Sequence, residues 1–227
     1  MSGPPALRAV LFDCDGTLVD TEPLAWAGWR RVLSRVDVEV TDADMRHCTG
    51  RSFRATYDHF ARAARLPPPD QLEVELQGLV MAAIATGAQP FPDVVGIGLT
   101  LQAHGVPVAV ASSSPRVRLD LTLRTTGLDR FFEVTVAGDE VERGKPDPEL
   151  LVTAATRLEV DPPRCVVVED AAAGVEAARR AGMTSLAVRR DHNRTSIATM
   201  GADHVCDDLS ALVGLLGLVD DRGDDLR

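Results

Sequence analysis

Short apolar, often β-branched runs punctuate this chain, separated by stretches in which apolar residues recur every three or four positions. The first run is Ala9-Val10-Leu11-Phe12, and it stops at Asp13-Cys14-Asp15-Gly16-Thr17. Consecutive apolar residues bounded by Gly and short polar residues read as a buried strand. The pattern predicts strands over 8–12, 107–111, 133–137, 165–168, 185–188 and 204–206. Helical stretches are predicted between them at 116–126, 149–158 and 174–181, with a weaker one near 195–200. Such alternation implies α/β architecture: a parallel sheet core with helices on both faces.

Residues 18–89 carry a different pattern. Trp26, Trp29 and Leu33 fall at i, i+3 and i+7, one stripe of a helix that Asp20 or Thr21 can cap, with Pro23 in its first turn. Thr41-Asp42-Ala43-Asp44 reads as another helix start. Gly50-Arg51-Ser52 interrupts the pattern, and Ser52 can cap a helix through Phe53, Tyr57 and Phe60. Pro67-Pro68-Pro69 is a rigid break, after which Asp70 opens a helix to about Gly87. The block therefore reads as an all-α insertion over 18–89, between the first strand (core residues 1–17) and the rest of the core (90–227). The charged tail, 220–227, is expected to fray.

Composition narrows the function classes. The 227 residues carry a net charge of −10 and are 45% hydrophobic, enough for a sizeable core. The acidic balance (pI about 4.9) argues against a nucleic-acid partner, while a small anionic substrate needs only a local site of opposite charge. Cys14, Cys48, Cys165 and Cys206 are scattered without C-x-x-C pairing and read as reduced, mostly buried thiols of a cytoplasmic protein. The first residues show no signal-peptide pattern. No apolar run is long enough to span a bilayer, so no membrane partner is expected. A monomer or small homo-oligomer is the expected state.

The chemistry gathers where strands end, because open parallel sheets bind ligands beyond their carboxyl edges. Asp13 and Asp15 follow the first strand at i and i+2. Two acids crowded at one point need a cation or a shared proton, unless they lie on a solvated loop. The second strand ends in Ser112-Ser113-Ser114-Pro115, where a helix start would aim N–H groups at an anion. The 165–168 strand ends in Glu169-Asp170, hard carboxylates that suit Mg²⁺ when they face Asp13 and Asp15. Lys145, between Gly144 and Pro146, is the single lysine among 24 basic residues. A compact ammonium on a stiff loop fits a place beside clustered carboxylates and phosphate.

Asp13-x-Asp15-Gly16-Thr17, Ser112, Lys145-Pro146 and Glu169-Asp170, in that order, resemble the motifs of the haloacid dehalogenase superfamily of phosphohydrolases. The spacing looks like the subfamily with a helical cap between the first and second motifs, and the stretches 13–24, 110–115, 138–148 and 167–182 all match it. The resemblance implies a Rossmann-like catalytic core (1–17 and 90–227) and an inserted, four-helix-like all-α cap domain (18–89) that closes over the site. It implies Asp13 as nucleophile, forming an aspartyl phosphate, and Asp15 as the acid that protonates the leaving alcohol and then activates water. It further implies Mg²⁺ on Asp13, Asp15 (through its backbone carbonyl) and Asp170, with Glu169 supporting the metal shell. Ser112, Ser113 and Lys145 would bind phosphate. The dehalogenases themselves lack the second aspartate, so the presence of Asp15 points to the phosphotransfer members. Two departures stand out. Ala171 replaces the serine common after Glu-Asp, and residues 18–89 contain no lysine of the kind that β-phosphoglucomutases carry there. Arg51 is the candidate for substrate recognition instead.

The reading that follows is a Mg²⁺-dependent phosphatase acting on a small phosphorylated metabolite, a sugar or polyol phosphate. A phosphomutase using the same phosphoenzyme is the alternative, and a catalytically idle binding protein a more distant one.

Overall fold

The structure is a computed structural model and describes residues 6–48 and 53–218. Arg51, its neighbours Gly50 and Ser52, and the tail 220–227 lie outside the described residues. Six strands form one parallel sheet: β1 (Ala9–Phe12), β2 (Val108–Ala111), β3 (Val134–Val136), β4 (Cys165–Glu169), β5 (Thr184–Val188) and β6 (His204–Cys206). Their order is β3-β2-β1-β4-β5-β6. The order reverses direction between β1 and β4, which pair in register from Ala9–Cys165 to Phe12–Val168. That reversal opens the crevice in which such sheets bind ligands.

Successive side chains of a strand point to opposite faces, and the core divides accordingly. Val10, Phe12, Val110, Val166 and Val168 pack on one face, with Ile97 and Leu101 of α5 (Pro92–Ala103), Leu119 and Leu123 of α6 (Arg116–Thr126) and Leu212 of α9 (Ala211–Leu215). Leu11, Ala109, Ala111 and Val167 pack on the other, with Leu150 and Ala154 of α7 (Glu149–Arg157) and Ala177 and Ala178 of α8 (Ala172–Ala181). The expected sheet and its two helical layers are present. Two helices escaped the sequence pattern. In α5 the run Val94-Val95-Gly96-Ile97-Gly98-Leu99 mixes β-branched residues and glycines, poor helix formers that resemble a strand; contact with the sheet overrides the propensity. The short α9 spans too few residues to show periodicity. The stretch near 195–200 is only a turn of 3₁₀ helix, Ile197–Thr199.

Between β1 and β2 run α1 (Glu22–Leu33), α2 (Asp42–Cys48), α3 (Phe53–Phe60) and α4 (Pro69–Gly87). Trp26, Trp29, Leu33, Cys48, Phe60, Leu72 and Leu76 form a separate cluster, in which Trp29 stacks on Phe53 with centroids 5.8 Å apart. Thr41 and Asp44 form a reciprocal cap of α2: Asp44 N–H donates to Thr41 Oγ1 (3.2 Å) and Thr41 N–H to Asp44 Oδ2 (2.9 Å). The expected side-chain cap on α1 is not made by Thr21. The chain leaves and returns side by side, since Asp20 N–H donates to the Gln89 carbonyl (3.1 Å) and Phe91 N–H to that of Leu18 (3.0 Å). Helix α4 belongs to both clusters: Leu72 and Leu76 pack in the helical block, Val80 and Ile84 against the sheet-side core.

Candidate active site

Asp13 follows β1 directly, and its N–H donates to the Val168 carbonyl of β4 (3.0 Å), which seats it at the crevice. Gly16 adopts φ +83°, a left-handed turn. A side chain there would also collide with the Asp170 carboxylate, so Gly16 both turns the chain and leaves room for that group. Glu169 ends β4 and lies over the backbone of Gly174, where a Cβ would collide with Oε1. The small residue opening α8 is therefore what lets Glu169 fold inward.

Lys145 reaches this point from its loop. Its Nζ donates to Asp13 Oδ1 (2.6 Å) and to Glu169 Oε1 (2.5 Å), and its side chain is only 5% exposed. Glu169 Oε2 accepts the N–H groups of Asp170 (3.2 Å) and Ala171 (3.3 Å). Asp170 Oδ1 accepts the Thr17 hydroxyl (2.8 Å), and Oδ2 pairs with His192 Nε2 (2.6 Å). Asp13, Glu169 and Asp170 each present a carboxylate oxygen within 4.8 Å of the others, and all three are buried.

Burial raises the Asp13 carboxyl well above the ordinary range; Lys145 opposes the rise, and Glu169 and Asp170 add to it. Glu169 is raised by the same burial, against the pull of Lys145. Burial works against the Lys145 ammonium, but its two carboxylate partners outweigh that and hold it above its usual value. Burial likewise works against His192, and Asp170 outweighs it. The cluster is short of positive charge, and its donors are hard oxygens. It fits a divalent cation, because Asp13 Oδ2 makes no hydrogen bond among the described residues, and Glu169 Oε1 and both Asp170 oxygens each retain a lone pair.

Asp15 stands apart from this cluster. Its Oδ2 accepts the Ser114 hydroxyl (2.7 Å), and Arg118 Nη2 donates to Oδ1 (2.6 Å). The structure thus joins Asp13, Lys145, Glu169 and Asp170 in one centre and gives the Asp15 carboxylate its own partners. Glu169, expected beside the metal shell, belongs to the same cluster as Asp13 and Asp170. Ser112 is buried at the end of β2, its Oγ accepting the Ser114 N–H (3.1 Å), whereas Ser113 is exposed. Ser114 does not cap α6 with its side chain; Pro115 holds that position, and the Ser114 hydroxyl serves Asp15.

Sequence reasoning missed the loop after β5. Arg190 donates to the Thr17 carbonyl (2.9 Å) and to Asp93 (3.0 Å), and its guanidinium lies 4.0 Å from the Phe91 ring centroid. Asn193 Nδ2 donates to the Asp170 carbonyl (3.0 Å). The loop begins at the carboxyl end of a strand, so the rule that singled out β1, β2 and β4 extends to it. Between this loop and the helical block lies a cavity of about 510 Å³, bordered by His192 from the core and Trp26 from α1.

A family model described as haloacid dehalogenase-like hydrolase matches residues 7–182. The chain belongs to the haloacid dehalogenase-like hydrolases. Among its relatives, the validoxylamine A 7′-phosphate phosphatase of Streptomyces hygroscopicus subsp. limoneus is 34% identical over 204 residues, 89% of this chain and 94% of that protein. The fructose-1-phosphate phosphatase YqaB of Escherichia coli K12 is 34% identical over 185 residues, 79% of this chain and 95% of that one. A HAD family hydrolase from Deinococcus radiodurans R1, solved with phosphate and sodium, superposes with a TM-score of 0.79 at 31% identity, covering 92% of this chain and 96% of that chain. With named phosphatases among its relatives and this family's fold, the chain is a phosphoric monoester hydrolase. Among the described residues no helix is long and apolar enough to cross a membrane.

Proposed function

We propose that this haloacid dehalogenase-like hydrolase is a Mg²⁺-dependent phosphatase of a phosphorylated sugar or polyol, working through an aspartyl phosphate on Asp13. One observation carries the reading: Asp13, the first residue beyond a buried strand, is bound by the chain's single lysine inside a cluster of carboxylates that outnumber their cationic partners. The substrate class follows the phosphorylated-carbohydrate names of the relatives, which include a phosphorylated carbohydrates phosphatase of Thermotoga maritima, 33% identical over 180 residues.

Asp13, Glu169 and Asp170 would hold the metal, with the backbone carbonyl of Asp15 as a further oxygen; bound there, the ion neutralises the charge of phosphate beside carboxylate. Lys145 keeps one Asp13 oxygen engaged and leaves Oδ2 to attack phosphorus. Ser112, Ser113 and Lys145 cradle the phosphoryl oxygens. Asp15 protonates the leaving alcohol and later takes a proton from water. To do so its carboxyl gives up the bond that Arg118 Nη2 donates to Oδ1. Thr17, His192 and Asn193 orient Asp170. Residues 18–89 act as the cap that excludes water and selects the leaving group, with Arg51 as one candidate contact.

The phosphomutase alternative is not favoured, since the named relatives cited are phosphatases and residues 18–89 hold no lysine. A panel of phosphorylated metabolites with Mg²⁺, scored for free phosphate and for isomerised product, tests the reading. Rapid quenching should trap a phosphoryl group on Asp13. Isomerised product without free phosphate, or turnover with no phosphoenzyme, would overturn it.

A further inference from the structure

Arg190 follows β5 and carries its charge into a buried place. Its side chain is 7% exposed, and it lies against the two segments that join the helical block to the sheet. Those segments, 17–20 and 89–91, run side by side: Val19 and Pro90 form an antiparallel bridge, and the Asp20 and Phe91 N–H groups donate across it. The guanidinium meets both. Nη2 donates to the Thr17 carbonyl on the outgoing segment (2.9 Å), and the group lies over the Phe91 ring on the returning one (4.0 Å). Nη1 donates to Asp93 Oδ2 at the start of α5 (3.0 Å), and the same oxygen accepts the Leu209 N–H (3.0 Å), which anchors the pair in the core.

Stability alone does not call for this arrangement. A buried ion pair loses hydration that its attraction offsets poorly, and an apolar pair of the same volume serves a packed interior as well or better. This pair is also incompletely satisfied, since Arg190 Nε and Asp93 Oδ1 are buried and make no hydrogen bond among the described residues. What a guanidinium supplies and an apolar side chain does not is direction. Its planar fork serves two acceptors at fixed angles while its face stacks on a ring.

The same loop reaches the catalytic centre. Arg190 N–H donates to Asn193 Oδ1 (2.9 Å), and Asn193 Nδ2 donates to the Asp170 carbonyl (3.0 Å). Thr17, bound to Arg190 through its carbonyl, gives its hydroxyl to Asp170 Oδ1 (2.8 Å). Two short routes thus run from Arg190 to Asp170, one through the loop and one through Thr17.

We infer that Arg190 is a positioning residue for the reaction: it pins both connections of the helical block to the loop that holds Asp170, so that occupation of the catalytic centre fixes the block against the core. This rests on the proposed cap role of residues 18–89 and names the residue that transmits closure. Arg190 acts through Thr17 and Phe91 rather than on the reacting atoms.

The test uses the full chain. Hydrogen–deuterium exchange is followed by mass spectrometry in peptides covering 17–21 and 89–93, without ligand and with Mg²⁺ and inorganic phosphate. In the wild type the ligands should slow exchange there severalfold. In Arg190→Gln that slowing should disappear, while peptides over 165–169 stay as protected as in the wild type. Kinetics gives an independent readout. On the sugar phosphate turned over fastest in the metabolite panel, Arg190→Gln should lower kcat/KM by about tenfold or more, with kcat and KM both changed. On p-nitrophenyl phosphate, whose good leaving group asks little of closure, the loss should stay within about threefold. Arg190→Lys keeps the charge beside Asp93 but loses the fork; it should show both effects in smaller measure, and it carries the test if Arg190→Gln does not fold. Equal losses on the two substrates, connecting segments that ignore Mg²⁺ and phosphate in the wild type, or segments that respond as fully in the variants, would overturn the inference and leave the phosphatase reading intact. Absence of phosphate release from every substrate by the wild type would instead sink that reading, and this inference with it.

Discussion

The carboxyl edge of the sheet and the helical wall facing it treat charge in opposite ways. At the sheet edge the functional carboxylates are bound by the protein: Asp13 and Glu169 by Lys145, Asp170 by Thr17 and His192, Asp15 by Ser114 and Arg118. On the helical side Glu22 and Asp42 face the cavity with no partner among the described residues. A nucleophile must be held within a fraction of an ångström, so its partners are built in. Groups that wait for a substrate gain nothing from partners that the substrate would have to displace. On the proposed function, the difference suits one wall to chemistry and leaves the other to recognition.

Substitutions at the sheet edge should therefore cost rate, and those on the helical side should cost selectivity or stability. The largest effect is expected from Asp13→Asn, which keeps the shape and removes the proposed nucleophile. Turnover should fall by at least about a thousandfold, with a circular dichroism spectrum like that of the wild type; a purified variant working near the normal rate would remove Asp13 from the mechanism.

Exhaustive chelation comes next. It should abolish turnover, and added Mg²⁺ should restore it, because Asp13, Glu169 and Asp170 lie together with too little positive charge. A chelated enzyme that kept its rate would show that Lys145 and His192 suffice.

Lys145→Arg should lower kcat by about a hundredfold, equivalent to roughly 2.7 kcal/mol of barrier. The charge survives, but a planar guanidinium does not fit a 5% exposed site shared by two carboxylates 2.6 and 2.5 Å away. Retention of most of the rate would reduce Lys145 to a source of general positive field. Gly174→Ala should cost on the order of tenfold in kcat, by driving Glu169 off the helix and away from Lys145. A wild-type rate in that variant would mean that the position of Glu169 does not matter.

The smallest effect belongs to the helical side. The Thr41 hydroxyl, then His59, holds the Asp44 carboxyl down at about 2, against an unfolded value of about 3.9. A depressed carboxyl stabilises the fold above its unfolded pKa and stops doing so as the pH falls through its folded one. Asp44→Asn should therefore cost about 1 kcal/mol near neutrality. The gap from wild type should close as the pH falls from about 4 towards 2. Calorimetric melts across that window check it, and kcat on an aryl phosphate should stay the same.

Legibility also differed between the two regions. Strands β1 to β6 could be read within a residue or so of their ends; β1, β2, β4 and β5 are buried nearly throughout, and a strand buried on both faces must be apolar. Asp13, Lys145 and Asp170 could be read because each follows a strand or a proline-bounded turn with unusual chemistry. In the helical block the helices were readable from their stripes and caps. That Asp20, Glu22 and Asp42 make no side-chain hydrogen bond or ion pair among the described residues was not, since an acid on a helix or linker looks the same in sequence whether it faces solvent or a cavity.

The sequence by itself determined the α/β alternation, the inserted helices, the motif residues and the family they resemble, all consequences of local periodicity and short-range spacing. Only the tertiary structure decided which carboxylates meet. Lys145 and Asp13 are 132 positions apart, and Arg118 and Asp15 are 103 apart; strand order brings them together, and no local pattern encodes it. The same holds for His192, which reaches Asp170 across 22 residues because β4 and β5 are neighbours and their carboxyl ends share one edge. Charge balance in a buried site is a sum over groups that only the fold makes adjacent, which is why partnered carboxylates on one wall and unpaired ones on the other emerged from the structure alone.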